Sequence, residues 1–232
     1  MTDTAETILI IGASRGLGLG LAREYANRGW RVIGTVRSDN PPTGLHALAA
    51  EGNGRVVVEM LDINMPEQIA ALRSRLAGER IDILFANAGI SNGAAETIPA
   101  SSKEAFTRLM VTNAWSPLHM IEAFADLVPP TGVIAAMSSG LGSVANNTGA
   151  GWELYRASKA ALNTMLRSFS VRRGEGRTVL AMVPGWVRTE MGGPNASLDI
   201  ETSVRGMVDS IAARRGKPGA AFVNYLGEDV AW

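Results

Sequence analysis

Short apolar runs alternate with longer amphipathic segments along this chain of 232 residues. The first run, TILIIGA at 7–13, is continuously apolar, which is typical of a strand buried on both faces of a sheet. Repeated alternation of such runs with helical patterns predicts a parallel sheet covered by helices on both faces. The predicted strands are 7–13, 30–36, 55–61, 81–87, 132–138, 177–183 and 220–226, and the predicted helices are 17–29, 44–52, 65–78, 102–127, 153–173 and 201–214.

This pattern predicts the α/β class, with a Rossmann-type doubly wound parallel sheet of about seven strands. A chain of 232 residues can bury one large core, and no linker or internal repeat divides it. A single domain over 1–232 is therefore expected.

Composition excludes several classes of function. Basic and acidic residues number 22 each, and a chain without net positive charge is a poor candidate for nucleic-acid binding. Cys is absent and only His46 and His119 are present, so we expect no metal site, thiol catalysis or Ser-His-Asp triad. No apolar run reaches the roughly 18 residues of a membrane span, and the first residues, MTDTAET, are unlike a signal peptide. We therefore expect a cytoplasmic protein without a membrane partner.

A glycine-rich segment, GASRGLG at 12–18, follows the first predicted strand and opens the first helix. Gly12 would permit a tight turn, Gly16 would let the backbone approach a pyrophosphate, and Gly18 would let the helix pack closely. The N–H groups at the start of the helix would then bind phosphate. A ligand-free turn could carry the same glycines, but the position after the first strand favours dinucleotide binding.

Tyr155 and Lys159 lie four residues apart in a chain that has only three Tyr. This spacing places both side chains on one face of a helix. Carbonyl reduction with a nicotinamide needs an acid for the forming alkoxide, and a cation lowers the pKa of a nearby Tyr hydroxyl toward the useful range. The alternative interpretation is a Tyr and a Lys on a solvated helix face.

Together these motifs resemble the short-chain dehydrogenase/reductase family. The matches follow one another in order over nearly the whole chain. The segments MSSGLGSVANN, GWELYRASKAALN and PGWVRTEMGG and the ending Y-x-G-x-x-x-x-W further resemble the branch of Sniffer-type carbonyl reductases and C-factor-like proteins. The matched residues are Tyr155 and Lys159, the Asn-Ala-Gly stretch 87–89, Asp62, Asn113, and Pro184, Gly185, Val187 and Thr189.

The resemblance implies a catalytic set of Ser139, Asn113, Tyr155 and Lys159. Ser139 would polarise the substrate carbonyl, and Asn113 would hold a water that links Lys159 to solvent. Ser138 is a second candidate for the serine, although the family pattern Ser-x-x-Gly fits Ser139. The interval of 16 residues from Ser139 to Tyr155 exceeds the family's usual one, which predicts an extra loop at the pocket mouth. Trp152, Trp186 and Met191 are candidates to line an apolar substrate pocket, and the alternative for each is ordinary packing.

NADP(H) is the expected cofactor. Val36 stands where an NAD enzyme of this fold has an acidic residue, while Arg37 and Arg15 would meet the 2′-phosphate of NADPH. By resemblance, Asp62 and Ile63 would contact the adenine. The full set of expected cofactor-binding residues is Gly12, Ser14, Arg15, Gly16, Leu17, Gly18, Arg37, Asp62, Ile63, Asn87, Ala88, Gly89, Tyr155, Lys159, Pro184, Gly185, Val187 and Thr189.

The expected function is an NADP(H)-dependent interconversion of a carbonyl (ketone, aldehyde or quinone) and an alcohol on a small molecule. The alternative is a dinucleotide-binding regulatory or signalling protein of the C-factor type with little catalytic role. The resemblance also implies a homodimer or homotetramer, with helices 102–127 and 153–173 as the interface.

Overall fold

Seven strands form one fully parallel sheet in the computed structural model, which describes residues 5–52, 54–93 and 97–232. The predicted fold class is thereby confirmed. The strands are β1 (Thr7–Ile11), β2 (Arg31–Val36), β3 (Val56–Met60), β4 (Ile83–Ala86), β5 (Val133–Met137), β6 (Thr178–Val183) and β7 (Gly219–Asn224). Residues 1–4, the first part of the MTDTAET segment that is unlike a signal peptide, lie outside the described residues.

Helices connect the strands at the predicted places. They are α1 (Gly16–Asn27), α2 (Gly44–Glu51), α3 (Pro66–Arg75), α4 (Lys103–Met110), α5 (Ser116–Phe124), α6 (Glu153–Arg173) and α7 (Ile200–Arg214). The long helix predicted at 102–127 is not one regular helix, because a π-helical turn, Val111–Trp115, separates α4 from α5 and a 3₁₀ turn, Ala125–Leu127, follows. None of the helices in the described ranges is long and apolar enough to cross a membrane.

The core lies on both faces of the sheet, which explains the continuously apolar strands. In β1, Leu9 and Ile11 belong to a cluster with residues of α3, α5 and α6, whereas Ile8 and Ile10 belong to a cluster with α1, α2 and α7. All five residues of β1 are buried. A polar residue at any of these positions would face a helix rather than water.

The strand order is β3-β2-β1-β4-β5-β6-β7. The order reverses between β1 and β4, and ligands of open α/β sheets bind beyond the carboxyl ends of the strands at such a point. The glycine segment follows β1, the Asn-Ala-Gly stretch follows β4, and Ser139 follows β5. The fold thus brings the candidate residues to one edge of the sheet.

Candidate active site

The glycine segment forms a closed corner between three strands. Gly12, at φ +88°, donates its N–H to Thr35 Oγ1 over 2.9 Å and accepts a 2.6 Å bond from Asn87 Nδ2 on its carbonyl. A Cβ on Gly18 would lie 2.1 Å from that same carbonyl oxygen. Each of these two glycines is therefore required by backbone geometry. Asn87 ties the end of β4 to the corner, a role that fits its expected place beside the cofactor.

A crevice opens beside this corner, between the ends of β1, β2 and β3. Val36 and Arg37 form one side of it, and Ile63 and Ala88 form another. The crevice thus has apolar walls and one cation, Arg37. Further lining residues are Ile11, Gly12, Ser14, Thr35 and Leu61, and Leu17 packs against the core of the α1 face.

Asp62 and Arg15 have partners of their own. Asp62 Oδ1 accepts the Asn64 N–H over 2.9 Å, the turn-forming role typical of an Asp after a strand. Arg15 forms an ion pair with Glu190, and both side chains are about 70% exposed (69% and 74%). The structure therefore places Arg37, but not Arg15, among the residues that line the crevice.

Tyr155 and Lys159 occupy one face of α6, opposite the end of β5. Lys159 is 3% exposed, and its Nζ donates a 2.8 Å hydrogen bond to the Met137 carbonyl. The same Nζ lies 5.7 Å from the centre of the Tyr155 ring. Burial, which disfavours the charged ammonium, lowers the pKa of Lys159 to about 8.

Burial raises the pKa of Tyr155 to about 12, and the nearby Ser139 hydroxyl opposes this shift. The direction is opposite to the one predicted from Lys159 alone, because desolvation of the phenolate is the larger effect. Tyr155 is consequently protonated at neutral pH and able to donate its proton. Ser139 Oγ also accepts the Leu141 N–H over 3.1 Å, which leaves the serine at the start of a short 3₁₀ turn.

The two adjacent serines have different partners. Ser138 is 2% exposed, and its Oγ lies 2.7 Å from Oδ1 of Asn163. Ser139, in contrast, is only half-buried, and its hydroxyl lies close enough to Tyr155 to influence the pKa of that residue. The geometry thus favours Ser139 for contact with a substrate and gives Ser138 a role within the protein.

Asn113 lies in the π turn between α4 and α5 and is fully buried. Its Oδ1 accepts the Ile90 N–H over 2.8 Å, while its Nδ2 donates to the Ile90 carbonyl at 2.9 Å and to Ser158 Oγ at 3.0 Å. A Cβ on Gly89 would lie 3.3 Å from Asn113 Oδ1 and 3.4 Å from Lys159 Nζ. The asparagine side chain therefore braces the loop after β4 against α6 beside Lys159.

Ser158 was not singled out by sequence analysis. It is fully buried between Tyr155 and Lys159 in the sequence, and its Oγ also donates to the Tyr155 carbonyl over 2.8 Å. A small hydroxyl residue inside the Tyr-x-x-x-Lys stretch was the only available signal. Its contact with Asn113 depends on tertiary structure.

The mouth of the site is formed by two loops. Trp152 has a left-handed backbone, φ +57°, and its ring meets that of Tyr155 edge to face at 6.0 Å. Left-handed backbone is unfavourable for a bulky residue, so the surrounding loop must enforce it. Trp186 and Met191 are 58% and 48% exposed on the other loop, where they could meet a substrate.

The second loop follows β6. Gly185 has φ +82°, and the Pro184 carbonyl accepts a 2.6 Å bond from Ser203 Oγ on α7. Val187 is buried, and Thr189 Cγ2 lies 3.9 Å from the place of a Cβ on Gly16. The loop thus reaches from β6 across to the glycine corner, as a cofactor-covering segment would.

Comparison with known proteins gives one consistent family. The family model for short chain dehydrogenases matches residues 6–198. A Burkholderia multivorans structure, described as a short-chain dehydrogenase/reductase with bound NADP, is 50% identical with a TM-score of 0.95 and covers 98% of this chain and 100% of its own. Its NADP agrees with the expected cofactor.

Two further relatives represent the expected branch. The carbonyl reductase Sniffer of Drosophila melanogaster is 30% identical with a TM-score of 0.85, over 98% of this chain and 100% of that one. The C-signal protein of Myxococcus xanthus is 37% identical over 155 residues, which are 66% of this chain and 93% of the relative. The predicted resemblance is confirmed by these matches.

Proposed function

Because this chain belongs to the short-chain dehydrogenase/reductase family, we propose that it interconverts a small-molecule carbonyl and an alcohol with NADP(H). The observation that carries the proposal is the pairing of Tyr155 and Lys159 on α6 with Ser139 after β5, at the same edge of the sheet as the crevice beside the glycine corner. A protein that only bound a dinucleotide would not require Ser139 and Tyr155 side by side.

The residues on the crevice fit NADPH. Protein atoms pack closely around Gly12 and Gly18. Around the place of a Cβ on Gly16, in contrast, the nearest atom is Thr189 Cγ2 at 3.9 Å, which leaves the backbone there open for a pyrophosphate. No described side chain caps the N-terminus of α1, so its N–H groups remain for phosphate oxygens. Arg37 would hold the 2′-phosphate, and Val187 and Thr189 would hold the carboxamide of the nicotinamide ring.

When bound, NADPH supplies the hydride for carbonyl reduction. Tyr155 donates its hydroxyl proton to the forming alkoxide, and Ser139 donates a hydrogen bond to the same oxygen. Burial keeps Tyr155 protonated at neutral pH, as a proton donor must be before the hydride arrives. Lys159 places a positive charge nearby that favours the phenolate left behind and would speed its reprotonation.

The test is NADPH oxidation by purified protein with a panel of aldehydes, ketones and quinones. We expect steady turnover with at least one carbonyl class and its loss in Tyr155→Phe. The similarity to the C-signal protein makes a regulatory role without catalysis the second candidate. Tight NADPH binding without turnover on any carbonyl, and no effect of Tyr155→Phe, would favour that second candidate.

We also propose a homodimer or homotetramer through the α4–α5 segment and α6. Apolar side chains on these helices are partly open to solvent: Phe106 and Met165 are 38% and 37% exposed, and Trp115 is 46% exposed. Trp115 also stacks on His119 at 4.8 Å. Light scattering should give at least a dimer, and Trp115→Glu should shift it toward monomer. A monomeric wild type would refute the proposal.

A further inference from the structure

Asn163 lies two helical turns beyond Tyr155 and one beyond Lys159, on the same face of α6. It is 3% exposed and has no place in the chemistry described above. A buried amide is retained at low cost only where its donor and acceptor both find partners. The partners of Asn163 therefore indicate what it does.

Both partners flank Ser139. Asn163 Oδ1 accepts a 2.7 Å bond from Ser138 Oγ, and Asn163 Nδ2 donates a 3.2 Å bond to the Gly142 carbonyl. A carbonyl can only accept, so the amide nitrogen must face Gly142 and the oxygen must face Ser138. One side chain thus connects the two ends of the five-residue segment 138–142, with Ser139 inside it.

The segment also rests directly on the helix. A Cβ on Gly142 would lie 2.9 Å from Lys159 Cβ and 3.2 Å from Asn163 Nδ2. The Ser139 hydroxyl accepts the Leu141 N–H, and the Ser139 carbonyl accepts the Gly142 N–H over 2.8 Å, so these bonds hold Ser139 only to its own turn. The position of its hydroxyl therefore depends on the residues on either side of it.

We propose that Asn163 is a positioning residue that holds Ser139 against Tyr155. The proposal rests on the function proposed above. Asparagine suits the position because it offers one acceptor and one donor at the required separation. Aspartate would keep the bond to Ser138, but one of its carboxylate oxygens would face the Gly142 carbonyl oxygen, and neither can donate. Leucine would keep the side-chain volume but remove both hydrogen bonds.

The experiment is a double-mutant cycle between Asn163 and Ser139, measured by steady-state reduction and by NADPH binding. Asn163→Leu should lower kcat by roughly tenfold or more, the scale of a misplaced catalytic group, and leave the Kd for NADPH within about twofold. In a Ser139→Ala background, Asn163→Leu should lower kcat by less than about twofold, since the hydroxyl that Asn163 positions is absent. Asn163→Asp should lie between wild type and Asn163→Leu.

A loss of activity through destabilisation of the fold must be distinguished from a loss through misplacement of Ser139. Leu166→Ala, which removes a fully buried core side chain one turn further along α6, serves as the matched control for destabilisation. It should lower Tm without a comparable loss of kcat. The pH profile of kcat adds a second readout: the Ser139 hydroxyl opposes the effect of burial on the pKa of Tyr155, so displacing it in Asn163→Leu should raise that pKa further.

The outcomes separate this inference from the proposed function. If Asn163→Leu lowers kcat by the same factor in the wild-type and Ser139→Ala backgrounds, the positioning role is wrong. It is also wrong if Leu166→Ala lowers kcat as much as Asn163→Leu does. If Asn163→Leu does not fold, Asn163→Asp in the same cycle decides the question. If Tyr155→Phe and Ser139→Ala leave turnover unchanged, the proposed function itself fails, whatever Asn163 does.

Discussion

The two ends of the site are built differently. At the chemical end, Lys159 and Asn163 are each 3% exposed and hydrogen-bond β5 and the segment that follows it. At the nucleotide end, the side chain of Arg15 is 69% exposed and its partner Glu190 lies on a loop. Groups at the chemical end are fixed by a helix and a strand, whereas the charged pair at the nucleotide end is largely exposed to solvent. Substitutions at the chemical end should therefore lower activity more than substitutions at the nucleotide end.

Tyr155→Phe should have the largest effect. It removes only the proton donor, so we expect kcat to fall by about 10²-fold or more, the lower limit for acid catalysis. The Kd for NADPH, measured by fluorescence titration, should change by no more than a few-fold. Near-full turnover in this variant would show that the chemical end does not act through Tyr155.

Lys159→Met should lower kcat by roughly tenfold to a hundredfold through the lost positive charge. It should also change how stability depends on pH. The folded protein releases the Lys159 proton near pH 8, but the unfolded chain keeps it to 10.5, so wild-type stability rises with pH between these values.

The measurement is the Tm of Lys159→Met relative to wild type across pH 7 to 10. Any gain in stability from removing the buried ammonium should be largest below pH 8 and shrink as pH rises. A Tm difference that does not vary with pH would contradict the lowered pKa. It would leave the catalytic role of Lys159 to be judged by kcat alone.

Arg37→Ala addresses the nucleotide end. We expect wild-type protein to prefer NADPH over NADH by at least about tenfold in kcat/KM, since one charged hydrogen bond to the 2′-phosphate is worth that much. The variant should lose most of this preference through KM for NADPH, and Val36→Asp should go further by repelling the phosphate. Arg205→Ala, an exposed arginine on α7, is the control. Equal kcat/KM of the wild-type protein with NADPH and NADH would exclude a preference for NADPH.

Glu190→Gln should have the smallest effect. It frees Arg15 to approach the 2′-phosphate, and because both side chains are mostly exposed we expect only about a twofold decrease in KM for NADPH. The change should vanish at high salt and be absent with NADH. Glu201→Gln, which breaks the exposed pair with Arg205, should do nothing. An increased KM for NADPH would mean that the Arg15–Glu190 pair supports binding.

Much of this architecture could be predicted from the sequence, because it follows from local patterns. The buried strands appear as continuous apolar runs, and Gly12 and Gly18 mark a corner where no side chain fits. Contacts between distant segments have no local signal. The pKa of Tyr155 was predicted in the wrong direction because its burial depends on the tertiary fold, and the bonds of Asn163 to the segment after β5 could not be inferred for the same reason.

The π turn at Val111–Trp115 carries a consequence for insertions and deletions. A π turn is equivalent to one additional residue in an α-helix, and each residue rotates a helix by about 100°. Deleting one residue here would let α4 and α5 continue in α-helical geometry, except for the N–H that Pro117 lacks. The fold could survive such a shortening, but Asn113 would turn away from Ile90 and Ser158, so the brace beside Lys159 would be lost. The extra residue of the π turn is thus what orients Asn113 toward the active site.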